Sequence, residues 1–311
     1  MRALCLHQLG GAFSVDDLPD PVPAHGQIVV DIAFAAVNPL DIWVSRGDIG
    51  VAAAHLPWVP GTEATGYIAG RPVFVRGNGL GVTLPGLASE RAVVPPATVM
   101  DLPEGLDLAL AAALGTAGTT AWNSVHTKAH VVAGDRVVVL GASGGVGTVA
   151  VQLARATGAT VWAQTGSAAK AISITGADHV FVAADGAQLR AALVAIRPTV
   201  VLDALGGDYT GAAIDGLEPG GRLVIYGTSA HEEGRFNVRR IYRKGLSIFG
   251  YTNIVEPVER QQAVLATLFA ALCDGTLRVP HEIIPLAEAH NAHQRLLDRA
   301  VEGKLVIDCR R

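Results

Sequence analysis

Cysteine is scarce in this chain, with Cys5, Cys273 and Cys309 the only three in 311 residues. They form no CxxC pair and no cluster. That excludes a disulfide framework and a cysteine-built zinc lobe, and it fits a reducing, cytoplasmic setting. Charge is also scarce: Asp, Glu, Lys and Arg make up 17% of residues, with a net charge of −4. A nucleic-acid binder would carry a basic excess, so that class is set aside. Aromatic residues reach only 5%. Long unbroken apolar runs are missing as well. The most apolar stretches, residues 108–127 and 137–154, are interrupted by Gly, Thr, Ser or Asn. They read as buried core, not membrane spans. Residues 1–6 read as a short strand containing Arg2 rather than as a signal peptide.

Apolar residues and glycine are abundant, at 50% and 36 residues. A chain this apolar buries a substantial core, and its length suits about two domains at roughly 150 residues each. The first third is punctuated by Pro19, Pro21, Pro23, Gly26, Pro39, Gly47, Gly50, Pro57, Pro60 and Gly61. Between them lie short strand-like runs at 28–34, 65–69, 73–75 and 91–94, the pattern of a β-rich domain. Near residue 105 the character changes. Residues 108–114 are rich in Ala and Leu and favour helix. Strands are then predicted at 137–140, 160–163, 200–202, 222–226 and 246–249, with helices at 168–174, 187–195 and 211–216. This alternation is that of a parallel α/β domain. Helices at 257–272 and 286–299 and a strand at 304–308 close the chain.

The segment Gly141-Ala142-Ser143-Gly144-Gly145-Val146-Gly147 follows a β-branched run and precedes an amphipathic helix. Val146, Val149, Ala150, Leu153 and Ala154 line one face of that helix. Strand, glycine turn and helix together are the context of a dinucleotide fingerprint. Glycines let the backbone approach a pyrophosphate, and the helix N-terminus offers free N–H groups. The second strand ends in Gln164-Thr165-Gly166-Ser167, and no carboxylate occurs between Gly141 and Asp178. A free ribose 2′-hydroxyl usually meets a carboxylate there. Its absence, with Lys170 just beyond, suits a 2′-phosphate and hence NADPH.

Further elements complete a pattern: Val37-Asn38-Pro39-Leu40-Asp41, Arg46-Gly47, Leu56 to Glu63, Gly118, Thr120, Leu202 to Gly207, Tyr226 to Ser229, and Phe249-Gly250-Tyr251. Jointly these resemble the zinc-free (zeta-crystallin-like) quinone oxidoreductases of the medium-chain dehydrogenase/reductase superfamily. The resemblance implies an α/β chain with a GroES-like β-rich catalytic domain at 1–117 and a Rossmann doubly wound parallel-sheet domain at 118–250. Residues 251–311 would return to the first domain. It also implies an NADPH site in the interdomain cleft, and a homodimer that extends the Rossmann sheet. Carried over by position, Asn38, Pro39, Asp41, Trp43 and Thr120 would lie near the nicotinamide end. Ser143, Gly144, Gly145 and Val146 would meet the pyrophosphate, and Gly166, Ser167 and Lys170 the 2′-phosphate. Tyr226, Gly227, Thr228, Ser229, Phe249, Gly250 and Tyr251 would line the nicotinamide pocket, and Arg299 would reach a phosphate. Relatives often carry Tyr at Trp43 and near Ala183, and a longer segment than 70–89.

Zinc-dependent relatives need Cys or His after Val37 and His beside Glu63, where this chain has Asn38, Pro39 and Thr62. The pairs His126/His130 and His290/His293 lack a third ligand close in sequence. The expected activity is therefore zinc-free hydride transfer from NADPH to a quinone or an α,β-unsaturated carbonyl. Asp41, Thr120 and Tyr251 are the candidate catalytic groups. The competing reading for Asp41 is that it orients Arg46 or caps a turn. Two alternatives stand beside this activity. One is an enoyl-thioester reductase using the basic run Arg235, Arg239, Arg240, Arg243 and Lys244. The other is a nucleotide-binding protein without turnover.

Overall fold

The computed structural model describes residues 1–49 and 55–311; Gly50 lies outside the described residues. Along the chain come β1 (Arg2–Leu6), β2 (Phe13–Asp17), β3 (Ile28–Ala36), α1 (Pro39–Arg46), β4 (Glu63–Ile68), β5 (Arg71–Arg76), β6 (Arg91–Val94), β7 (Val99–Asp101) and α2 (Leu108–Trp122). A π-helical segment, Asn123–Lys128, follows α2. Next are β8 (Arg136–Val139), α3 (Gly145–Ala156), β9 (Thr160–Thr165), α4 (Ala168–Ala171), β10 (His179–Val182), α5 (Gly186–Ile196), β11 (Val200–Asp203), α6 (Gly207–Gly216), β12 (Arg222–Ile225), α7 (Val238–Lys244) and β13 (Ser247–Gly250). The chain ends with α8 (Val258–Cys273), β14 (His281–Pro285), α9 (Ala292–Leu297) and β15 (Lys304–Asp308).

Two compact units result. One comprises Met1–Thr116 and Ile254–Arg311, the other Ala117–Asn253. The first is built on a sheet ordered β14-β15-β3-β4-β5-β7, with β6 also pairing β3. On β3, Val30 and Ile32 are buried while Asp31 between them is exposed, as the period-2 geometry of a one-sided sheet requires. β15 joins by pairing antiparallel with β3, Val306 opposite Ala36. Its five residues are all buried. The β4–β5 hairpin turns through Ala69 and Gly70, both with positive φ (50° and 81°). A two-residue turn of this kind matches the strand twist, and it tolerates Ala only under strain.

The second unit is a parallel six-stranded sheet in the order β10-β9-β8-β11-β12-β13. In chain order this is 3-2-1-4-5-6, the doubly wound dinucleotide-binding arrangement. Val137, Val138 and Val139 are fully buried, which explains why β8 reads as an unbroken apolar run. Leu189, Leu193, Ala212, Ala213 and Ile214 from α5 and α6 pack into one core with Val138, Val201 and Leu223 of the sheet.

Several elements differ from expectation. Residues 286–299 form no single helix: a 3₁₀ segment, Leu286–Asn291, leads into the short α9. Helix α4 stops at Ala171 where 168–174 was expected, and α6 begins earlier than 211, at Gly207.

Candidate nucleotide site and a buried polar cluster

Strand register places most of the sequence candidates in the second unit along one edge. Val139, Ala163, Leu202, Val224 and Phe249 form one cross-strand row of β8, β9, β11, β12 and β13. Two residues further along each chain lie Gly141, Thr165, Ala204, Tyr226 and Tyr251. The phosphate-loop, second-strand and nicotinamide-pocket candidates thus all fall at the carboxyl edge of a single sheet. Ligands of open α/β sheets bind at that edge, where the strand order reverses; here the reversal lies between β8 and β11.

The loop after β8 is tightly wound. Gly141 has φ +68°, and its N–H donates to Gln164 Oε1 at 2.9 Å. Gly144 is the N-cap of α3, with no side chain to satisfy the first N–H groups of the helix. A Cβ on Gly147 would overlap the Gly141 carbonyl and sit 2.7 Å from Ala142 Cα, so only glycine fits there. A Cβ on Gly144 meets only the Gly141 oxygen, at 3.4 Å. Gly147 therefore builds the turn, while Gly144 keeps the helix end open. This is an anion cradle that suits a pyrophosphate.

Gln164 has a role that residue pattern alone did not reveal. Besides accepting from Gly141, it donates to Ala183 O at 2.6 Å, so it ties the phosphate loop to the residue after β10. Its amide is engaged at both ends, and Gly166, Ser167 and Lys170 are the groups beyond the end of β9. Gly166 is exposed, and Ser167 and Lys170 are half-buried. Asp178, the next carboxylate in sequence, serves the opposite end of β9: it accepts from Val161 N–H at 2.9 Å and pairs with Arg155. Asp185, after β10, caps α5 by accepting from Gln188 N–H at 2.8 Å. Asp203, at the end of β11, is buried and holds the Leu205 and Gly206 N–H groups (2.8 and 3.1 Å). Tyr226 carries a buried hydroxyl with no hydrogen-bond partner among the described residues. Burial, then the Asp203 carboxylate, push its pKa upward.

The first unit holds a different constellation. Glu63 is fully buried. It accepts from Asn38 Nδ2 at 2.9 Å and from Thr116 Oγ1 at 2.9 Å, and it is 3.5 Å from both Lys304 Nζ and Arg76 Nε. Lys304 donates to Asn38 Oδ1 at 2.6 Å and to Val37 O at 3.1 Å. The Asn38 amide is thus engaged at both ends. Asp41 accepts the Asn38 backbone N–H at 2.8 Å, at the start of α1. Burial drives its carboxyl up to about 7, against the lowering effects of that bond and of Lys304. His293 stacks on Phe13 at 4.2 Å, with Nε2 4.0 Å from Asp41 Oδ2. Burial lowers its pKa to about 4. Pro39 is exposed, Trp43 half-buried, and Arg299 exposed after α9. Among the described residues, no group of three or more His, Cys, Asp or Glu is placed to hold a metal ion. Nor is any helix long and apolar enough to cross a membrane.

Sheet order and phosphate loop define the second unit as a dinucleotide-binding fold. A family model described as zinc-binding dehydrogenase matches residues 145–269. A quinone oxidoreductase from Sus scrofa is 30% identical over 99% of this chain and 97% of its own. The solved quinone oxidoreductase of Thermus thermophilus, also described in complex with NADPH, has a TM-score of 0.82 and 29% identity, covering 99% of this chain and 100% of that one. A solved NAD-dependent alcohol dehydrogenase superposes with a TM-score of 0.87 and 29% identity, covering 99% of both chains. The chain belongs to the quinone oxidoreductase family of the medium-chain dehydrogenase/reductase superfamily.

Proposed function

We propose that this chain is an NADPH-dependent, zinc-independent reductase of quinones and activated enones, working in the cytoplasm as a homodimer. The observation that carries the reading is the open helix end at Gly144, set beside a β9 terminus that bears no carboxylate. The first supports pyrophosphate binding by Ser143, Gly144, Gly145 and Val146. The second supports a 2′-phosphate at Gly166, Ser167 and Lys170, since nothing there repels it or prefers a free hydroxyl. When bound, NADPH supplies the hydride and both electrons. The chain's residues bind and orient it and hold the acceptor. Tyr226, Gly227, Thr228, Ser229, Phe249, Gly250 and Tyr251 are assigned to the nicotinamide end on the strength of the family resemblance. Asp41 is assigned the start of α1, which it holds through the Asn38 N–H.

Zinc independence is supported by chemistry at Asn38, Thr62 and Glu63. Lys304 already provides a buried positive charge there, bonded to Asn38 and paired with Glu63. A divalent cation beside that ammonium would be repelled. The thioester reading draws less support. Lys244 donates to the Asp215 and Leu217 carbonyls (2.6 Å each) near the end of α6, and Arg240 pairs with Asp215. Part of the basic run is therefore committed to packing.

The test is oxidation of NADPH and of NADH with a panel of quinones, enones and enoyl thioesters, with and without a chelator. The reading expects NADPH-preferring, chelator-insensitive turnover of quinones. NADH preference, loss of activity on chelation, or turnover confined to thioesters would each overturn part of it.

A further inference from the structure

We propose that Asn123, Tyr251 and Asn253 are positioning residues that set the direction of the Thr120 hydroxyl, so that it donates to the carbonyl oxygen of the acceptor. This rests on the reductase reading above. The polarity of the chain can be followed from a fixed end. The Thr119 carbonyl can only accept, and Asn123 Nδ2 lies 3.0 Å from it. The Asn123 amide nitrogen must therefore face that oxygen, and its second hydrogen then points at Tyr251 Oη, 2.8 Å away. The remaining end, Asn123 Oδ1, accepts from Thr127 Oγ1 at 2.9 Å. With a hydrogen arriving from Asn123, the tyrosine proton goes onward to Asn253 Oδ1 at 2.6 Å. That turns the Asn253 amide so that Nδ2 donates to Thr120 Oγ1 at 2.8 Å.

Thr120 sits at the end of this sequence as an acceptor. Its own proton has no acceptor among the described residues. A threonine within a helix commonly returns its proton to the preceding turn. Here the incoming Asn253 bond holds the oxygen, leaving the hydroxyl proton to be directed outward. The place is also distinctive. Tyr251 belongs to the carboxyl-edge row that contains Gly141 and Tyr226. The helix turns π-helical at Asn123, with Ala129 N–H bonding Ser124 O at 3.0 Å; such insertions recur at functional sites. Thr120 and Tyr251 are both buried. A hydroxyl donor held in this way stabilises charge that develops on an acceptor oxygen as the acceptor gains a hydride.

Asn253→Asp reverses the direction, and because it also adds a negative charge its loss is read against Thr120→Val, which removes the donor without adding charge. Asn253→Asp keeps the shape, still accepts from Tyr251, and offers Thr120 an oxygen, so the threonine proton turns inward. Tyr251→Phe, Thr120→Val and Thr120→Ser complete the set. Three measurements are made on each: binding of NADPH, binding of 4-nitrophenolate as a non-reducible oxygen anion, and kcat/KM for one quinone and one enone. Asn253→Asp and Thr120→Val should each weaken 4-nitrophenolate about tenfold, the size of one charge-assisted hydrogen bond. NADPH binding should stay within about twofold under the same hydrogen-bond accounting. Enone turnover should fall further than quinone turnover, because the enone depends more on the donor. Tyr251→Phe should give a smaller loss, and Thr120→Ser should retain activity. Unchanged nitrophenolate binding in Asn253→Asp, or equal losses in every measurement, would overturn the inference. Weakened nitrophenolate binding in a protein that reduces no carbonyl acceptor would uphold the hydroxyl's direction and overturn the reductase reading instead.

Discussion

Polar groups gather in both units, yet they are used in opposite ways. Around Glu63 they satisfy one another: Asn38, Thr116, Arg76 and Lys304 converge on one buried carboxylate. Along the carboxyl edge of the parallel sheet, side chains such as Gln164 and Asp203 fasten the loops, while the Gly144 helix end stays open. A closed cluster contributes to folding; an open one is available to a ligand. Substitutions should separate the two. Changes in the first unit should appear in stability, and changes along the edge should appear in binding.

The largest effect should come from Lys304→Met. It leaves Glu63 short of a buried partner and should lower unfolding free energy by about 3–5 kcal/mol in chemical denaturation. Adding Glu63→Gln should recover much of that loss. If the single variant is as stable as the parent, the cluster is not closed in the sense described.

Gly144→Val is next. Its Cβ has room, so the protein should fold. The side chain covers the N–H groups of α3, and NADPH affinity should drop at least a hundredfold, about 2.7 kcal/mol, by fluorescence titration. A normal melting curve with normal affinity would remove the loop from the site.

The third change probes pH. His293 is held near 4, below its ordinary 6.5, by burial. Between those values the unfolded chain takes up a proton at this site that the folded chain refuses, so the stability held by His293 is full above 6.5 and declines as pH falls toward 4, while Asp41, raised to about 7, acts in the opposite sense. At pH 5 the decline from this group should be about 2 kcal/mol, from roughly 1.4 kcal/mol per pH unit. His293→Gln should flatten that part of the stability curve by about one proton. An unchanged slope would assign the acid sensitivity elsewhere.

Lys170→Ala should have the smallest effect. NADPH affinity should fall about tenfold at fixed ionic strength, with NADH affinity almost unmoved, as expected for one partly screened charge on a phosphate. Equal changes for both cofactors would leave the NADPH preference to the missing carboxylate at the end of β9.

Much of the fold is visible in the residues. β6 and β15 have the extents that their sequence pattern predicts, and β8 announces itself as a β-branched run. The misses have physical causes. Helix α1 hides among prolines and glycines, although Pro39 is its first residue and Gly47 its left-handed cap. β10 lies at the sheet edge with Val180 and Val182 exposed, so no buried run marks it. α7 reads only as a basic run because none of its residues is buried. For the candidate site, the local signal of the Gly141–Gly147 loop was legible. The bonds from Lys304 to Asn38 and from Asn123 to Tyr251 were not. They join residues 266 and 128 positions apart, and no periodicity spans such separations.

The position of Lys304 also bears on the order of assembly. One of the two cations beside Glu63 is carried by β15, which pairs with β3 only after all of Ala117–Asn253 has intervened. During synthesis the parallel sheet has its complete sequence before the first unit does. Until residue 304 emerges, the Phe34–Ala36 end of β3 lacks its partner beyond the stretch that β6 pairs, and Glu63 lacks one of its two cations. Maturation of the first unit is therefore a late, long-range event, and a ribosome paused before β15 holds a nascent chain with an open strand edge for chaperones to cover.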